Sequence, residues 1–109
     1  GDDVLALQLP ETFHNLSATI YLYSSSLLRE EELERLRLDI ADLIRCAFRE
    51  NNDYDVQKTW PFSRFSMSRL GEEIHQTFKD VESVVFDAGD ILSDLNVPRL
   101  GVLEVAYGE

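Results

Sequence analysis

The spacing of apolar residues changes period early in this chain, and that change limits what it can fold into. Over Leu16–Tyr23 the pattern alternates. Leu16, Ala18, Ile20 and Leu22 fall on one side, and Ser17, Thr19, Tyr21 and Tyr23 on the other. Alternation with β-branched and aromatic residues predicts a strand with one face on a core. From Leu33 the spacing becomes three and four, through Leu36, Ile40, Leu43, Ile44, Ala47 and Phe48. That predicts an amphipathic helix of about five turns. A half-buried strand and a one-sided helix each need an apolar surface to cover. A chain of 109 residues has room for one core, so the two are expected to share it in a single domain, residues 1–109.

The remaining segments fill in a second helix and more strands. Ser24, Ser25 and Ser26 break the first strand and are expected to cap the long helix. Glu30, Glu31, Glu32 and Glu34 follow, at the positive end of its dipole, and Arg45 and Arg49 lie near its negative end. An i,i+4 pair from Glu31 to Arg35 adds about a few tenths of a kcal/mol. Asn51-Asn52-Asp53 ends the helix, and Tyr54–Thr59 reads as loop. Trp60–Ser66 reads as a short extended piece, which Pro61 keeps from being a central strand. Ser66 is expected to cap a second helix over Met67–Lys79, with Met67, Leu70, Ile74 and Phe78 as its apolar stripe. Val81–Ala88 is a second strand. Gly89–Asn96 is a loop with a short turn. Pro98 and Gly101 bracket the approach to a last strand, Val102–Tyr107. Val4–Leu9 is apolar and stopped by Pro10, so residues 1–15 read as an extended lead-in. The fold class expected from this order is α+β. It is a two-layer sandwich, two helices packed on one face of a three- or four-stranded, mainly antiparallel sheet of ferredoxin-like type.

Charge and cysteine usage narrow the function classes. Asp and Glu number 21 against 10 Lys and Arg, a net charge of −11. A generic nucleic-acid binder needs a basic face, and an anionic membrane surface repels this balance, so neither is an expected partner. Cys46 is the only cysteine, which excludes an internal disulfide, and its helical context predicts burial. No segment approaches the ~20 apolar residues of a membrane span. The chain starts Gly1-Asp2-Asp3 and its only methionine is Met67, so it reads as trimmed at its start or as a piece of a longer protein. Asn15-Leu16-Ser17 fits a glycosylation triplet, with nothing else pointing to secretion.

No constellation of reactive residues emerges. His14 and His75 are far apart in sequence. Glu72 and His75 share one helical face, but a zinc site needs three or four ligands and no second pair is present. Asp87, Asp90 and Asp94 lack the closing glutamate of a calcium loop. No serine sits in a nucleophile elbow, and no glycine loop suits a phosphate, the five glycines reading as end and turn residues. Catalytic residues, cofactors and metals are therefore not expected. Trp60, Phe62 and Phe65 with Arg64 form an aromatic-plus-arginine run that packs in the core or binds a partner, and the net charge of −11 favours a protein over single-stranded nucleic acid as that partner.

Several phrases, in this order, resemble the C-terminal region of phage baseplate J-like proteins, wedge components of contractile tails. Leu16–Tyr23 resembles the family's opening strand, and the long helix follows in matching place and length. Phe65-Ser66-Met67-Ser68-Arg69-Leu70 with Ile74 resembles the start of its second helix. Val81–Phe86 resembles the valine-rich strand after it, and Val97–Val105 the closing proline, leucine, glycine and strand. The resemblance covers residues 14 to 107. Lys79-Asp80 stands where the family usually carries a glycine. It implies an architectural, non-catalytic role in a phage or prophage tail. The implied partners are other baseplate or tail proteins and copies of the chain itself, and the implied location is the virion after assembly in the bacterial cytoplasm. Two other classes stay open on the residues alone. One is a ferredoxin-like regulatory or ligand-binding domain, which a pocket of convergent polar groups would favour. The other is a small enzyme with His75 and a carboxylate converging in a cleft.

Overall fold

The computed structural model describes residues 10–108. The lead-in strand expected over Val4–Leu9 lies outside the described residues. In chain order the elements are β1 (Glu11–Leu22), α1 (Glu30–Ala47), β2 (Arg64–Phe65), α2 (Met67–Thr77), β3 (Val81–Phe86), β4 (Ile91–Leu92) and β5 (Val97–Tyr107). The α+β reading holds, with two helices, a three-stranded sheet ordered β3-β1-β5 and a separate two-stranded pair, β2-β4.

The main sheet is mixed rather than mainly antiparallel. β1 runs antiparallel to β3, with Thr19 opposite Val85, but parallel to β5, with Ala18 opposite Val105. The parallel ladder is the longer one, from Glu11–Val97 to Ile20–Tyr107. Alternation says which face of a strand is buried, not which way the strand runs. Both helices and β3 intervene between β1 and β5, which is ample chain for the crossover a parallel pair requires.

β1 also starts earlier than its apolar pattern suggests. Glu11–His14 pair with Val97–Leu100, so part of the expected lead-in is strand. There the pattern is inverted: Phe13 points out while Thr12 and His14 are half-buried. β1 keeps one phase throughout, with Asn15 facing out, and at Asn15 β5 carries one extra residue, so the register slips between His14 and Leu16. The Asn15 side-chain oxygen accepts the Val102 N–H at 2.8 Å. Gly101 makes room for it, since a Cβ there would stand 2.5 Å from that oxygen.

The core is the meeting of the two periodicities. Leu16, Ala18 and Ile20 from β1 pack with Ile40, Leu43, Ile44, Ala47 and Phe48 from α1 and its cap, and with Leu70 and Ile74 from α2. Cys46 is buried beside them. Ser66 caps α2 as expected, its Oγ accepting the Arg69 N–H at 3.2 Å. The start of α1 differs. Arg29 is the N-cap, and the Glu32 carboxylate accepts its N–H at 3.3 Å. Ser26 instead donates to Asp80 at 2.9 Å, tying the β1–α1 connection to the α2–β3 turn. Arg35 pairs with Asp39 at 3.4 Å, the expected Glu31 partner being replaced by an acid one turn on.

Candidate protein-interaction site

The chain between α1 and α2 crosses the end of the sheet where β1 and β5 extend beyond β3. Thr59 anchors it. Its N–H donates to the Ala47 carbonyl and its hydroxyl to the Pro98 carbonyl, both at 3.0 Å, and the residue is fully buried. Beyond this anchor, β2 and β4 pair antiparallel, Arg64 opposite Leu92 and Phe65 opposite Ile91. The pair is laced to its surroundings through the Trp60 carbonyl, which accepts from both Ser63 Oγ at 2.7 Å and Ser93 Oγ at 2.5 Å.

The pair has two faces. Phe65 and Ile91 turn inward, and Phe65 packs against Phe48 with ring centroids 5.2 Å apart and planes tilted by 50°. Phe65 is 2% exposed, so this member of the expected interface belongs to the core. Trp60 and Phe62 remain outside, 54% and 67% exposed, joined on the same lobe by Leu92 at 69% and by exposed Leu95. Arg64 is also exposed, 3.6 Å from Asp90.

Both non-glycine residues with positive φ among the described residues flank Trp60. Arg49 has φ 71° and Phe62 has φ 53°, the left-handed region that costs a branched or bulky side chain most. Arg49 occupies the position after the α1 cap that glycine usually takes. The Glu50 N–H reaches the Arg45 carbonyl and the Arg49 N–H the Cys46 carbonyl, both at 2.9 Å. The side chain explains the choice. Its guanidinium lies 4.0 Å from the Trp60 ring centroid and donates to the Thr59 carbonyl at 3.3 Å. Glycine here would relieve about 1–2 kcal/mol of left-handed strain, and losing the stack together with the bond to Thr59 would cost a similar ~1–2 kcal/mol. Arg49→Gly is therefore expected to leave the urea midpoint nearly unchanged. Arg49→Ala keeps the strained backbone without the stack and is expected to unfold at lower urea than Arg49→Gly. The reverse order would refute this account of the turn.

The other candidate groups are dispersed. His14 Nε2 lies 3.3 Å from Thr12 Oγ1 on β1, and His75 Nδ1 bonds the Val81 carbonyl at 2.8 Å at the far end of α2. Asp87 accepts the Ser17 N–H and Asp90 the Met67 N–H, each at 2.8 Å. Among the described residues no three His, Cys, Asp or Glu side chains gather as a metal site, and no helix is long and apolar enough to cross a membrane. A cavity of about 380 Å³ opens where β3 ends and β1 continues. Its polar lining includes His14, Asn15 and Asp90, and all three already bond within the chain.

Titration shifts are few. Burial pushes the Tyr54 hydroxyl above its usual 10.0, with Asp39, Asp42 and Asp53 adding to it. Burial does the same for Tyr107, opposed by nearby Arg37. A hydrogen bond from Arg37 lowers the exposed Glu34 carboxyl. For the tyrosines the folded state favours the neutral phenol. Their contribution is complete below the unfolded value near 10.0 and is lost as pH rises through the higher folded values. Urea midpoints are expected to start falling near pH 10 on this account, and a rise above that pH would contradict it.

Against known proteins, the chain is 41% identical over 63 residues to the putative baseplate protein gp29 of Haemophilus phage HP1 (strain HP1c1). The chain is similar to a phage baseplate protein. The match covers 58% of this chain but only 16% of that relative's length. No family model matches the chain, and no solved structure matches it. Sequence reading missed Leu92 and Leu95 as parts of the lobe. Leu92 follows Ile91 and Leu95 stands alone in an otherwise polar loop, and only the pairing of β4 with β2 brings them beside Trp60 and Phe62.

Proposed function

We propose that this chain is a structural assembly domain of a phage or prophage tail baseplate, held to its neighbours by protein contacts through the β2–β4 lobe. The observation that carries this reading is the exposed Trp60 and Phe62, with Phe62 itself left-handed and Trp60 held under the left-handed Arg49. Backbone strain of this kind persists where the surrounding structure holds it for a purpose. Here it presents aromatic side chains to solvent beside Arg64, and aromatic residues and arginine dominate interface energetics. The similarity to the HP1 baseplate protein supports the same reading. The partners are other baseplate or tail proteins and further copies of the chain, with no nucleic acid or membrane. The role is non-catalytic, and the location is the virion after cytoplasmic assembly.

The finer assignment, the C-terminal region of a J-like baseplate protein, is supported by element order. A strand, a long helix, the Ser66-capped helix, a valine-rich strand and a closing strand follow one another as the resemblance requires. The ferredoxin-like ligand-binding alternative would use the cavity beside β1, whose His14, Asn15 and Asp90 are already engaged within the chain.

Trp60 is the only tryptophan, so it reports directly on the lobe. Mixing the 109-residue chain with the other purified baseplate proteins of the phage that encodes it is expected to shift its emission to the blue and protect it from acrylamide. Complex formation with emission and quenching unchanged would show that the lobe is not the contact.

A further inference from the structure

A second surface lies along the opposite edge of the sheet, and the lobe plays no part in it. β3 pairs with β1 alone among the described residues. The Asp87 N–H donates to the Ser17 carbonyl at 3.1 Å. Bonded pairs alternate along an antiparallel ladder. With Thr19 opposite Val85 and Tyr21 opposite Ser83, those residues also turn their amides toward β1. Val84 and Phe86 therefore turn theirs outward, where no described strand meets them, while Glu82 sits at the register slip opposite Tyr21 and Leu22. His75 Nδ1 takes the Val81 carbonyl at 2.8 Å and closes the edge at its start. Beside this edge runs a groove of about 300 Å³ between α2 and β3, lined by Ser68, Gly71, Glu72 and His75 on one wall and Glu82 and Val84 on the other.

Gly71 is the telling residue. It sits inside α2, where glycine is the poorest helix former after proline. The domain does not need it. A Cβ there would stand 3.7 Å from Phe86 Cε2 and 3.8 Å from the Val84 carbonyl oxygen, ordinary contacts. The missing side chain instead lowers the groove wall beside Val84, one of the two residues whose amides face outward. We propose that β3 takes an extended, lysine- or arginine-bearing segment of a partner protein as an added strand, whose backbone passes Gly71. Strand addition in a groove between a helix and an edge strand is a general mode of peptide recognition. Charge decides the kind of partner. Glu72 and Glu82 line the groove, and neither pairs with a Lys or Arg among the described residues. A second copy offering its own β3 would bring another Glu82 and no Lys or Arg, on a chain of net charge −11.

The test uses the 109-residue chain and two blocked hexapeptides, one alternating lysine with valine and one alternating glutamate with valine. The lysine peptide is expected to slow hydrogen exchange at the Val84 and Phe86 amides, and the glutamate peptide is expected to leave them unchanged. Gly71→Ala is expected to raise the thermal midpoint of the free chain by about a few degrees. It is also expected to weaken lysine-peptide binding by roughly ten-fold or more, because the new methyl overpacks the groove. Lack of protection at β3, equal binding of both peptides, or unchanged affinity in Gly71→Ala would each overturn the proposal. A lower midpoint for Gly71→Ala would overturn it too, since the fold itself would then require the glycine.

Discussion

Phe48→Ala is expected to destabilise the domain by about 3–5 kcal/mol, enough to leave a chain of ordinary stability largely unfolded at room temperature. Phe48 closes α1 and is fully buried. Its ring packs at a tilt against Phe65 from β2, and it lies in the same core as Leu16 of β1. Truncation removes the apolar surface that one helix, the main sheet and the lobe have in common, and it leaves a hole that these separately anchored pieces cannot close. The lobe should loosen first, because Phe65 and Ile91 are its main inward anchors. Urea unfolding followed by circular dichroism measures the loss, and fluorescence of Trp60 follows the lobe. A midpoint within experimental error of the parent chain would show that Phe48 is not the keystone described here.

The double variant Trp60→Ala with Phe62→Ala is expected to do the reverse, leaving the fold intact and removing the function. Both side chains are more than half exposed, so little burial is lost on folding. The identifiable cost is the Arg49 stack, worth about 0.5–1 kcal/mol. At an interface the same two rings would be anchors of about 2 kcal/mol or more each. Their joint loss weakens association by roughly a hundred-fold or more. In a phage carrying the variant, incorporation of the protein into particles should fall accordingly while its thermal midpoint hardly moves. Normal incorporation would remove the lobe from the account. Arg64→Ala is expected to act in the same direction and more weakly, since its charge is already 3.6 Å from Asp90.

Much of the fold was legible because each long element keeps one period throughout. The C-terminal half of β1, both helices and β3 lie where alternation or three-and-four spacing puts them. What was not legible has physical causes. The direction of β5 leaves no mark in its own pattern. The first residues of β1 carry an inverted pattern, with Phe13 facing solvent, so the period rule read them as connection. In Trp60–Phe65 the aromatic residues look equivalent, but Pro61 and the left-handed Phe62 break the alternation, and only the pairing with β4 turns Phe65 inward. The β2–β4 pair itself joins two-residue strands across a helix and a strand, too short to show any period. Gly71, read as one of several punctuating glycines, sits within a helix. The candidate site was thus half visible: its aromatic members stood out, and its boundary and its leucines did not.

The most direct test of the structural role is where the protein resides in the assembled particle. Antibodies raised against the 109-residue chain, gold-labelled and applied to purified particles of the phage that encodes it, are expected to decorate the baseplate end of the tail. Particles that carry no label, from cells in which the protein is abundant, would contradict an assembly role in the baseplate.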